Sequence, residues 1–258
     1  MKTKIVLLLI CVFVIFAPPA VSGSGQAAAP ARAEAWATLQ KGVRLWDPGI
    51  LASARDRFLA VLLTEKSPDA GLLHGLAVCD YRLANFYLVS GNAAETERYV
   101  AEARKYGEQA RDLDPAMGES FALEAYLIGM VIALHPDQAM GLIAPSGEAY
   151  NAAFSKSPDN PRVFLLKGLS VYYTPEQFGG GPANAQSYLE KATDLFEKES
   201  GRTSSAAAWG REEAWTYLAI CHKARGNAAK AREYLKKALE IAPDYALASR
   251  ELKALPEK

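Results

Sequence analysis

The side chains best able to do chemistry are scattered along this chain, and their spacing argues against a catalytic or metal centre. The three histidines, His74, His135 and His222, stand far apart, and none has a second His or a Cys at metal-ligand spacing. Glu95, Glu97, Glu102 and Glu108 alternate with Arg and Lys, the pattern of a solvated helix face. No serine stands in a strand-turn-helix nucleophile motif. The residues therefore predict no catalytic set, no metal and no cofactor, in a protein that is not an enzyme. One motif remains: Phe178-Gly179-Gly180-Gly181 precedes Pro182 and a helix start, where bare backbone N–H groups suit an anion. No Lys-Ser or Lys-Thr follows it and no strand precedes it. The expectation is instead a sharp bend that tucks Phe178 under a neighbouring hairpin.

The elements that position these residues are helices, and the stretch from Glu212 to Tyr245 shows their pattern best. Trp215, Leu218 and Ala219 share one helix face, and Ala231, Leu235 and Ala238 share a face of the next helix. Gly226-Asn227 between them supplies a left-handed C-cap and then an N-cap, and Pro243 stops the second helix. Two short helices joined by so tight a turn lie antiparallel, with the alanines at their closest approach.

This spacing resembles the tetratricopeptide repeat, whose signature of about 34 residues carries a Trp, a Leu-Gly pair and a Tyr on its first helix, then Ala, Phe and a closing Pro. Here the corresponding residues are Trp215, Leu218, Ala219, His222, Ala231, Leu235 and Pro243, with His222 the least conservative departure. The resemblance implies an all-α, right-handed superhelical solenoid. It also implies a concave face, lined by the first helix of each hairpin, that binds a partner. The loop from Thr174 to Gly181 resembles loops of secreted bacterial repeat proteins of this kind.

The rest of the chain reads as further hairpins, five in all with a C-terminal cap over about Tyr245 to Leu255. They are separated at Ser67-Pro68-Asp69, Asp114-Pro115, Ser157-Pro158-Asp159 and, after the fifth, Ala242-Pro243-Asp244. The second hairpin turns at Gly91-Asn92, the same dipeptide as Gly226-Asn227. Gly91 precedes Pro115 by 24 residues and Gly226 precedes Pro243 by 17, so the second hairpin's long helix gains seven residues, about two turns.

The first 23 residues read as a signal peptide: Lys2 and Lys4 precede an apolar run from Ile5 to Phe16, and Val21-Ser22-Gly23 offers a cleavage site. Residues 24–32 read as a flexible lead-in and residues 33–258 as the repeat domain. The implied location is periplasmic or extracellular, with no membrane contact beyond an uncleaved signal anchor. Cleavage removes two lysines, so 29 basic residues become 27 against 29 acidic ones. That near neutrality excludes a nucleic-acid binder. Cys79 and Cys221 are too few for a disulfide framework.

Registering each first helix on its landmarks puts His74, Tyr81, Tyr126, Arg162, Leu169, Tyr172 and Lys223 in the concave groove. That surface is aromatic and apolar at its centre with charges at its edge. It suits a protein or peptide segment, giving a non-catalytic scaffold; a small amphipathic ligand enclosed for a transport system is the alternative. The same registers place Glu124 and Lys167 at equivalent positions of adjacent hairpins, where they are expected to pair.

Overall fold

In the computed structural model, residues 24–199 and 209–256 are described, with side chains from Ala29 onward. Residues 1–23, read above as a signal peptide, lie outside them. Eleven α-helices form among the described residues, and ten of them make the five expected hairpins. These are α1 (Ser24–Leu45) with α2 (Pro48–Thr64), α3 (Ala70–Val89) with α4 (Ala93–Leu113), α5 (Gly118–Leu134) with α6 (Ala139–Lys156), α7 (Pro161–Tyr173) with α8 (Pro182–Glu199), and α9 (Arg211–Ala224) with α10 (Ala228–Ile241). The eleventh, α11 (Ala246–Lys253), follows as the cap. Each second helix also packs on the first helix of the next hairpin, and α1, α3, α5 and α7 pack on one another in sequence, so the hairpins stack as a helical solenoid.

Local chemistry explains the corners. Gly91 and Gly226 hold φ of +76° and +78°, and the side chains of Asn92 and Asn227 accept from the N–H groups of Glu95 and Lys230. Asp69 caps α3 and Asn160 caps α7, each at the end of a Ser-Pro-Asp corner. The extra two turns of the second hairpin are present: α4 has 21 residues and α10 has 14. Trp215, Leu218, Ala219, Ala231, Leu235 and Ala238 all lie in the core, while Pro243 stays at the exposed corner.

Three expectations need correction. Residues 24–32 are not a loose lead-in, because they belong to α1, where Arg32 pairs with both Glu65 and Asp69. Glu124 and Lys167 do not pair. Arg104 holds Glu124 at 2.7 Å, with Arg111 at 3.7 Å, whereas the Lys167 ammonium lies 4.4 Å from the ring centre of Tyr150. Both arginines come from α4, the preceding second helix, so the charge is met within its own interface and not across to α7; burial pushes the Lys167 amine down. Phe178 does not tuck in and stays 74 % exposed.

The glycine loop explains that last point. Gly180 has its Cα so close to Thr174 that a Cβ would meet the Thr174 carbonyl oxygen at 2.0 Å. The Gly179, Gly180 and Gly181 N–H groups donate to the carbonyls of Glu176, Pro175 and Val171. The Glu176 side chain passes beside Gly181, and Phe178 stays exposed to solvent. With these amides spent on the chain itself, the loop is a bend and not an anion cradle.

Candidate functional site

The concave side of this solenoid is occupied by the chain's own last hairpin. Arg82 on α3 donates to Glu213 on α9 through both arms of its fork, at 2.8 and 2.6 Å, and both side chains are almost wholly buried. The guanidinium lies 4.6 Å from the ring centre of Tyr81 and 5.1 Å from that of Trp209. Further along, Arg44 meets Asp244 at 2.8 Å across 200 residues of sequence, and α11 packs against α1. The array therefore curls until its end touches its beginning. Between Arg82, Trp209, Leu39 and Val78 a void of only about 10 Å³ survives, room for one water at most.

This closure sorts the expected groove residues into three groups. Tyr81, Tyr126 and Leu169 are in the core, the two tyrosines edge to face at 5.2 Å, and burial raises both phenols above their usual range. Tyr172 stands on the opposite edge in contact with Tyr173 and Tyr217, while Lys223 pairs with Glu251 at 2.9 Å. His74 and Arg162 line an open cavity. Register from one sequence had no access to what the fifth hairpin would cover.

That cavity is a cleft of about 720 Å³ at the N-terminal ends of α3, α5 and α7, flanked by α1. Arg32, Trp36, His74, Met117, Glu119 and Arg162 are among its lining residues. Glu119, in the first turn of α5, is its hub. Its Oε1 takes bonds from His74 Nε2 at 2.8 Å and the Trp209 indole at 2.9 Å, and its Oε2 accepts from Asn160 at 3.1 Å. Burial alone would raise this carboxyl, but His74 and Arg162 beside it hold it down to about 2, so it is ionised at neutral pH. Arg162 is bidentate to Glu199 at 2.9 and 3.1 Å.

Trp209, Asn160 and Arg32 were not singled out from the sequence as site residues. Their signal was faint: a tryptophan inside a Ser- and Ala-rich connection, and a cap residue doing a second task. Arg82 carried more, as a lone cation in the apolar run from Leu72 to Ala84. Among the described residues no group of His, Cys, Asp and Glu stands ready to hold a metal ion, and no helix is long and apolar enough to cross a membrane. The cleft contains no nucleophile with an adjacent base. What it offers is a pocket with an apolar floor and a hydrogen-bonding wall.

The fold and the cleft define a helical-repeat binding protein. A tetratricopeptide repeat profile matches residues 212–245, the hairpin α9–α10. The solenoid is similar to a thermophilic tetratricopeptide protein of Thermus thermophilus, with a TM-score of 0.54 and 21% identity over 86% of this chain and 98% of that one. It is also similar to the HusA haemophore from Porphyromonas gingivalis, with a TM-score of 0.62 and 25% identity over 79% of this chain and 96% of that one. No curated protein sequence matches the chain.

Proposed function

We propose that this protein is a non-catalytic, exported binding protein that holds a small amphipathic ligand in the cleft between α1, α3, α5 and α7. The observation that carries the reading is the contrast between the two concave spaces. The trough that would take a peptide is filled by Glu213, Trp209 and their neighbours, whereas the cleft remains open with about 720 Å³, within the range of small-molecule sites. The similarity to a haemophore supports a ligand carrier. Export rests on the apolar segment at residues 5–16.

A second reading, capture of a protein segment, has one observation in its favour. Tyr173 and Phe178 are 53 % and 74 % exposed in and just after α7, an aromatic surface outside the filled trough. Native mass spectrometry of the protein purified gently from its own host separates the two. A small co-purifying mass that leaves on activation supports the ligand carrier; a second polypeptide, lost when Tyr173 and Phe178 are replaced by Ser, supports the scaffold and overturns the first reading.

A further inference from the structure

The helix α6 has two faces of different character. Its inner face carries Ser146, Tyr150 and Ala153: the tyrosine and alanine are buried, and the Ser146 hydroxyl donates to the Ala125 carbonyl of α5 at 3.1 Å. On the other side Met140, Ile143, Ala144 and Gly147 follow at helical spacings of three and four. All four are exposed, Met140 and Ile143 by 89 % and 61 %. The helix also packs only sparsely on α7, which α5 meets directly.

This outer stripe has the chemistry of a contact surface. No charged side chain occurs from Gln138 to Gly147. Gly141 and Gly147 lie inside the helix without a positive φ, and nothing stands within 4 Å of where a Cβ would be. Glycine weakens a helix interior relative to alanine, and what it offers on an open face is room for another surface to come close. The run is bounded by two acids, Asp137 and Glu148. It therefore lacks the flanking Lys and Arg with which a surface helix engages a bilayer.

The order of sizes along the stripe selects the occupant. The large side chains, Met140 and Ile143, come first, and the small ones, Ala144 and Gly147, follow. A second copy laid antiparallel about a two-fold axis between positions 143 and 144 sets Met140 against the partner's Gly147 and Ile143 against the partner's Ala144. Each large side chain then meets a small one. Because the stripe is uncharged, pairing it with itself brings no like charges together. Met140 and Ile143, with Tyr173 and Phe178 at the next hairpin turn, expose on the order of 500 Å² at roughly 150–250 Å² for a large side chain. Counted from both copies, that reaches about 1,000 Å², the area a specific interface needs.

We propose that this protein forms a symmetric dimer through α6, the outer stripe of one copy packed antiparallel on that of the other. The four stripe residues line no part of the cleft, so the dimer and the ligand carrier stand or fall separately.

Sedimentation velocity of the protein purified from its own host, over a micromolar to submillimolar series, is expected to show monomer and dimer in equilibrium. Ile143→Glu should weaken the dimer about a hundredfold, because the charge enters the interface twice, while an unchanged circular dichroism spectrum shows the monomer folded. Gly147→Leu is the sharper variant. It fills the space that Met140 enters and should also separate the copies, although it makes the face more apolar. Met140→Ala/Gly147→Met exchanges large for small and should restore the dimer. A monomer at every concentration, a dimer indifferent to Gly147→Leu, failure of the exchange to restore pairing, or a polypeptide of different mass held through Ile143 overturns the proposal.

Discussion

Replacing Glu213 by Ala tests the closure of the array directly. The substitution leaves the Arg82 guanidinium buried between the rings of Tyr81 and Trp209 with no carboxylate to meet its fork. Removing one partner of a buried, bidentate ion pair costs about 3–5 kcal/mol, because the surviving charge stays desolvated. For a chain of this size that lowers the melting temperature by roughly 6–20 °C. Arg82→Met alone should cost a similar amount through the stranded carboxylate. The double variant Arg82→Met/Glu213→Met removes both charges and should regain much of the loss, since apolar replacements of buried pairs are often near neutral. Urea titration followed by tryptophan fluorescence reads the stability, with Trp209 as a nearby reporter. Small-angle scattering then shows whether the last hairpin has left the concave side. If Glu213→Ala costs less than about 1 kcal/mol, as an exposed pair would, the pair is not buried and the solenoid is open in solution.

Other substitutions probe separate parts of the argument. Burial pushes the Asp80 carboxyl up to about 6, against the pull of Arg55, so the folded state holds its proton more tightly than the unfolded chain. Its effect on stability is therefore most favourable below about pH 4 and is lost, by roughly 3 kcal/mol, as pH rises through 6. Asp80→Asn should flatten the dependence of stability on pH between 4 and 6, and an unchanged slope would place the titration elsewhere. Gly180→Ala puts a methyl group at 2.0 Å from the Thr174 carbonyl oxygen. It should destabilise by roughly 1–3 kcal/mol, and faster amide exchange at Gly181 would confirm that the bend has opened. Ala231→Leu should cost roughly 1–3 kcal/mol by overpacking the fully buried contact between α9 and α10; a thermal melt like that of the parent would mean α10 sits in a different register.

Much of the fold was legible in the chain because its signals are local. Gly226-Asn227 and Gly91-Asn92 encode the turn through a positive φ and a side-chain cap, and these depend on residues within a few positions. The alternating stripes of Trp215, Leu218 and Ala219 against Ala231, Leu235 and Ala238 encode hairpin packing in the same way. The site was less legible. Phe178 was placed inside, yet the bend closes through Gly180 against Thr174 and leaves Phe178 exposed. Glu124 was matched to Lys167 by register, but Arg104 and Arg111 on α4 reach it first.

By itself, then, the sequence determined that this protein is a stack of helical hairpins and where each begins and ends. Helix periodicity and capping are short-range and leave their mark in every turn of the chain. Only the tertiary structure decided that the stack curls far enough for Glu213 to meet Arg82 and Asp244 to meet Arg44. That closure buries Tyr81 and Tyr126 and leaves the cleft at His74 and Arg162 as an open cavity. Those pairings join residues 131 and 200 positions apart. They depend on small rotations accumulated from hairpin to hairpin, which no single hairpin's sequence records.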